Sequence, residues 1–258
     1  MKRKINVAVA QFRSNPGQTE ENLKRCMEYV DRAAKEGADI ICFPELCHTG
    51  YGLDPEQTRR LAGKSTETDF LPRLSRCAKR NGIYVIYSYI EIDEKEDLHI
   101  SAMLLDRKGN VAGNYRKCYL WGEYEQNIYT PDTHFPVFET ELGKIGILIC
   151  YDIEYPETAR KLWKQGVDII FAPMHFWTID YMNKYAQAMA IYNTVPVVVV
   201  NGVADDKESY SKILDEEARL CMECAAKEED FIICPVEVGG NSSQREVHRK
   251  EYRKEVSF

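Results

Sequence analysis

A chain of 258 residues carrying 34 Lys and Arg against 41 Asp and Glu has a net charge of −7, with the two signs interspersed. That balance argues against a nucleic-acid surface, and no run approaches the roughly 20 apolar residues that a membrane span needs. At 44% hydrophobic and 29% charged residues, the composition is that of an ordinary α/β chain able to bury a sizeable core, read here as one domain over residues 1–258.

The opening MKRKINVAVAQF has too short an apolar run for a secretory leader, whose core is about 7–15 residues, so residues 5–12 read as a first strand. A helix is expected over 19–36, with Thr19 as its cap, Glu20 and Glu21 favouring its N-terminal dipole, and Leu23, Met27, Val30 and Ala34 as its apolar stripe. Gly37 stops it. Strands follow at 38–43, 83–92 and 100–106, with a helix over 68–81 between the first two. Further along come a strand at 145–150, a helix over 156–165 with Pro156 in its first turn, a strand at 167–172, a helix over 178–193, and strands at 195–201 and 231–238. Runs such as VPVVVV are apolar at successive positions, which fits strands buried on both faces in sheets covered by helices.

Nine cysteines and no leader suggest free thiols in a reducing, cytoplasmic setting. The one C-x-x-C, Cys221/Cys224, lacks the second pair a zinc site needs and reads as incidental. One echo crosses the chain: Gly37-Ala38-Asp39-Ile40-Ile41-Cys42-Phe43-Pro44 is matched by Gly166-Val167-Asp168-Ile169-Ile170-Phe171-Ala172-Pro173. Two αβ units sharing the same punctuation is the simpler reading. A pseudo-symmetric fold whose strands end at a shared site is the sharper one.

In open α/β folds chemistry gathers at the carboxyl ends of strands. Three such ends carry polar groups here: Glu45, Cys150 and His175, and Lys117 is a fourth candidate. A Cys–His nucleophile on a tight strand-to-helix elbow wants small residues two before and two after the cysteine, whereas Leu148 and Asp152 are large. None of the five histidines stands in a His-x-Glu motif. The other possibility is Glu45 as thiol base with Lys117 as the cation that stabilises thiolate and oxyanion. Taken alone, these residues leave open that Cys150 is a core thiol, Glu45 solvated and Lys117 a surface residue.

Three motifs in order resemble the nitrilase superfamily, the carbon–nitrogen hydrolases: Phe43-Pro44-Glu45-Leu46 with Thr49-Gly50-Tyr51, Tyr115-Arg116-Lys117, and Cys150-Tyr151-Asp152 through Arg160. Ala8-Val9-Ala10-Gln11 and Val200-Asn201-Gly202 also fit. The resemblance implies a four-layer α-β-β-α sandwich that dimerises through a helix face and needs no metal or cofactor. It implies Glu45, Lys117 and Cys150 as catalytic residues, with Glu125 as a second glutamate and Glu123 as the fallback. Tyr51, Trp121, Tyr151, His175 and Phe176, with Tyr124 and Trp177, are candidate walls of the substrate pocket. Hydrolysis of a small linear amide with release of ammonia through a thioester is the leading expectation. An N-carbamoyl hydrolase, a nitrilase and a catalytically silent binding protein follow it. The chain departs from the family pattern at Tyr119 (often His), Asp132 (Gly after the proline), Met189 (often Arg) and Tyr210.

Overall fold

Alternation along the first strand sets the layers. In β1 (Arg3–Gln11), Ile5, Val7 and Val9 enter one apolar cluster while Ala8 and Ala10 enter another, because successive strand side chains point to opposite faces. The computed structural model describes residues 2–175, 179–204 and 210–239, together with Val247. β1 lies between β2 (Ile40–Cys42) and the antiparallel β12 (Asp230–Val238), and β3 (Tyr84–Ile92), β4 (Leu98–Leu105) and β5 (Val111–Arg116) complete a six-stranded sheet. A second six-stranded sheet has the order β11 (Leu220–Glu223), β10 (Lys212–Leu214), β9 (Val197–Asn201), β8 (Ile169–Met174), β7 (Gly143–Ile147), β6 (Val137–Thr140).

The inward faces of the two sheets share one core. Helices α1 (Thr19–Lys35) and α3 (Leu71–Asn81) cover the outside of the first sheet through Leu23, Cys26, Val30, Leu74 and Ala78. Helices α5 (Pro156–Lys164) and α6 (Ile179–Asn193) cover the second through Leu162, Trp163, Met182, Ala186 and Ala190. This is the four-layer α-β-β-α sandwich, with short helices α2 (Pro55–Leu61) and α4 (Gly122–Ile128) in the connections.

The echo between residues 37–44 and 166–173 is positional. β2 is the middle of three parallel strands, β1-β2-β3, and β8 is the middle of β7-β8-β9. Their carboxyl ends meet, with the Glu45 N–H donating to the Met174 carbonyl at 3.4 Å and the Gly202 N–H to the same oxygen at 3.0 Å. The pseudo-symmetric reading therefore holds.

Thr19 does not cap α1. It is the first helical residue, Gln18 is the cap, and no side chain bonds there. The Asn22 side chain instead ties the helix start to Asn15 and to the His48 carbonyl. The buried face of α1 is Asn22, Leu23, Cys26, Val30 and Ala33, so Met27 and Ala34 lie at its edge. The strand expected to reach Cys150 ends at Ile147.

Candidate active site

Glu45 stands three residues past β2. Its turn is held by Ser88, whose hydroxyl accepts the Leu46 N–H at 2.9 Å and donates to the Ser101 carbonyl, and Leu46 takes a left-handed φ of 50°. Lys117 is the first residue after β5, where its N–H continues the ladder to the Ile100 carbonyl at 2.8 Å. Both side chains are fully buried. The Lys117 ammonium donates to Glu45 Oε1 at 2.7 Å and lies 2.8 Å from both oxygens of Glu125 on α4. The Tyr51 hydroxyl donates to Glu125 Oε1 at 2.8 Å and the Trp121 backbone N–H to Oε2 at 2.7 Å. Glu123 is exposed, so Glu125 is the glutamate that reaches the lysine.

Burying three charges is costly unless each is paired, and one cation between two carboxylates meets that need. Burial alone would lower the Lys117 value, but Glu45, Cys150 and Glu125 outweigh it, so the ammonium is held more firmly charged than a free lysine. For Glu45 burial is the largest influence and raises it, Lys117 pulls it back, Glu125 adds to the rise, and the carboxyl settles at about 7. Glu45 Oε2 is buried and makes no well-formed hydrogen bond; Cys150 is near enough to interact with the carboxylate without closing one.

Cys150 opens a 3-10 helix, Cys150–Glu154, with a left-handed φ of 48°. A sharp elbow therefore exists here despite the bulk of Leu148 and Asp152. Leu148 points into the core. The Asp152 carboxylate turns inward, where Oδ2 accepts the Ile149 N–H at 2.8 Å and the Tyr115 hydroxyl at 2.7 Å, and Oδ1 accepts the Cys118 and Tyr119 N–H groups at 3.1 and 2.9 Å. Motif matching passes over this role; the signal is a carboxylate two residues past Cys150. Burial, followed by the Glu45 charge, raises the Cys150 thiol well above its ordinary value while Lys117 opposes the rise, so the resting thiol is protonated and needs a base.

Residues 6–244 match the model of the carbon-nitrogen hydrolase family. The chain belongs to this family. It is thus a carbon–nitrogen hydrolase, of the nitrilase superfamily that its three motifs resemble. The omega-amidase NIT2 of Xenopus tropicalis is 31% identical over 220 residues, covering 80% of this chain and 78% of the relative. The 2-oxoglutaramate amidase of Bacillus subtilis is 26% identical over 251 residues, covering 94% and 95%. In fold, the chain resembles the amidase from Nesterenkonia sp. AN1 with a TM-score of 0.82 at 22% identity, over 95% of this chain and 96% of that one. That structure is of a Glu-to-Gln mutant of the amidase, with the acetamide moiety of fluoroacetamide covalently added at its active site cysteine.

His48 and His175 stand in different surroundings. His48 is buried on the helix side of the first sheet, with Nδ1 2.9 Å from the Tyr87 hydroxyl and its ring 4.6 Å from Phe70; burial lowers it to about 4, so it is neutral. The His175 ring stacks on Tyr51 at 4.8 Å and 11°, and it packs so closely on Gly202 that a Cβ there would meet Nδ1 at 3.0 Å. The His175 backbone reaches the Cys150 thiol.

Of the expected pocket walls, Tyr51 spends its hydroxyl on Glu125, with the Tyr124 ring 5.4 Å away. Trp121 contributes its backbone N–H, and its side chain is 41% exposed. Tyr151 meets Tyr155 edge-on at 5.3 Å. Phe176 and Trp177 lie outside the described residues. Tyr119, in place of the family's common histidine, stacks on Tyr155 at 3.7 Å, and Asp132 closes a turn onto the N–H groups of Thr133 and His134. Met189 is buried in α6, its carbonyl accepting the Asn193 side chain at 2.9 Å. No group of three or more His, Cys, Asp or Glu among the described residues is arranged to hold a metal.

Proposed function

We propose that this carbon–nitrogen hydrolase cleaves small linear amides to acid and ammonia through a thioester on Cys150, with Glu45 as base and acid and with Lys117 and Glu125 completing the catalytic set. The observation that carries this reading is the buried ammonium of Lys117 between Glu45 and Glu125. Glu45, at about 7, is poised to take the thiol proton. The thiolate forms a C–S bond to the amide carbon as the C=O π pair moves onto oxygen. Lys117 and the Tyr151 backbone N–H stabilise that oxyanion, one such donor being worth about 2.7–4 kcal/mol. Collapse breaks the C–N bond, Glu45 delivers its proton to the leaving nitrogen, and ammonia departs. Glu45 then deprotonates water, which forms a C–O bond to the thioester carbon; collapse breaks the C–S bond, Glu45 returns the proton to the thiolate, and the acid departs.

Relatives named as amidases favour an amide over a carbamoyl or nitrile substrate. The pocket contacts expected of Tyr51, Trp121, Tyr151, His175 and Phe176 belong to this proposal, as does a cytoplasmic setting. So does a homodimer through the α5–α6 face, where a groove of about 460 Å³ runs between Ile153, Tyr155, Met189 and Tyr192, and Tyr181, Ile191 and Tyr192 are more than half exposed.

Incubation with simple amides, followed by intact-mass measurement, is expected to show one acyl adduct on the peptide holding Cys150, with ammonia released. An adduct on another cysteine, or turnover by Cys150→Ala, refutes the reading.

A further inference from the structure

Two buried carboxylates, Glu91 and Asp152, take no part in that chemistry. Lys117 follows β5, which among the described residues is an edge strand of its sheet, paired by β4. An edge-strand end has few neighbours to hold it and is prone to local opening. Catalysis nevertheless needs its ammonium fixed to a fraction of an ångström.

On the helix side of the sheet, Arg116 forks onto Glu91, with Nη2 at 2.7 Å from Oε1 and Nε at 3.1 Å from Oε2. Glu91 also accepts the Ser101 hydroxyl at 2.6 Å and the Asn114 amide at 2.7 Å, so one carboxylate on β3 ties down β4 and β5 together. On the opposite face Asp152 accepts the N–H groups of Cys118 and Tyr119, the two residues after Lys117, and the hydroxyl of Tyr115, two residues before it. Alternation along β5 sends Arg116 one way and Lys117 the other. Residues 115, 116, 118 and 119 are all anchored, and Lys117 is the single residue between them.

We propose that Glu91 and Asp152 are positioning residues that clamp the backbone on both sides of Lys117 and thereby fix where its ammonium stands. The proposal rests on the reading of Lys117 as oxyanion donor. It adds that the lysine's placement is built from outside the reacting set, by a bidentate ion pair on one face and an elbow carboxylate on the other. Asp152 also accepts the Ile149 N–H next to Cys150, so the same group sets the separation of lysine and nucleophile.

The test uses Glu91→Gln, Arg116→Lys and Asp152→Asn in the full chain, with butyramide as the assayed amide and Lys117→Met as the control. Displacing an aligned group by about 1 Å costs up to about 100-fold. Each variant is therefore expected to lose about tenfold or more in kcat with KM within about twofold. The acid limb of kcat/KM should also move upward. Glu45 interacts with Lys117, Glu125, Cys150 and Tyr51, and in Arg116→Lys, which keeps every charge, only the attraction of the displaced Lys117 is weakened. Where Asp152→Asn does not fold, Tyr115→Phe removes one donor from Asp152 and is read the same way. Variants that melt earlier but keep the parent's kcat and acid limb overturn the proposal and leave Lys117's role standing. Full activity in Lys117→Met overturns both.

Discussion

The chain leaves β2 through Phe43-Pro44 and leaves β8 at Pro173-Met174, and each exit delivers a titratable side chain, Glu45 from the first and His175 from the second. The two strands are middle members of matching parallel triplets, and their ends touch through the Glu45 N–H and the Met174 carbonyl. Their surroundings differ. Glu45 is sealed beside a buried ammonium and carries an oxygen with no well-formed hydrogen bond. The His175 ring is stacked on Tyr51 and pressed on Gly202. Pseudo-symmetry brings both groups to one place, and the proposed mechanism assigns the proton transfer to the carboxylate.

Exchanging the two roles is the most direct way to break this comparison. Glu45→Gln keeps the shape but cannot accept a proton, so single-turnover mass spectrometry is expected to show no acyl adduct. His175→Ala and His48→Ala should still acylate. Normal acylation by Glu45→Gln together with its loss in either histidine variant would make that histidine the base.

Lys117→Met sharpens the comparison from the side of the cation. Activity is expected to fall by at least about 100-fold, the scale of one oxyanion donor. From sequence alone, an exposed lysine would leave stability unchanged. In the structure its loss strands Glu45 and Glu125 without a partner, and an uncompensated buried charge costs about 3–5 kcal/mol. A lower melting temperature is therefore expected as well, and acylation has to be timed well below it. An unchanged acylation rate would remove Lys117 from the mechanism.

The mildest probe is pH. Burial holds the Glu45 carboxyl at about 7, and the base works only when ionised. kcat/KM should therefore rise about tenfold per pH unit below 7 and level off above it. A limb near 4.5, the ordinary glutamate value, would mean that Glu45 is solvated during turnover.

Most of this architecture is legible in the sequence because its central strands are unambiguous. ADIICF, IGILIC and VPVVVV are short, β-branched apolar runs that fit strands of a covered sheet. The strands missed were β5, β6, β10 and β11, all short and mostly at or next to an edge. β5 reads VAGNYR, with only Tyr115 buried, and all four residues of β11 are exposed, so neither shows a buried face to detect. Helices α2 and α4, of seven residues each, are too short for a helical period to emerge. Glu45, Lys117, Glu125 and Cys150 were legible as motifs. The elbow was misjudged because size at Leu148 and Asp152 was weighed without the partners that absorb it. Those partners, Tyr115 in β5 and Cys118 and Tyr119 just after it, lie more than thirty residues away in the chain.

The left-handed turn at Cys150 sets function against comfort at one position. A φ of 48° suits glycine, and a residue with a Cβ is held there at a cost of about 1–2 kcal/mol. The fold thus tolerates a permanently uncomfortable residue at the position of this thiol. Anyone making an inert version to trap a bound ligand inherits the choice: Cys150→Ala keeps the discomfort without the sulfur, whereas Cys150→Gly sheds both and should be the hardier trap.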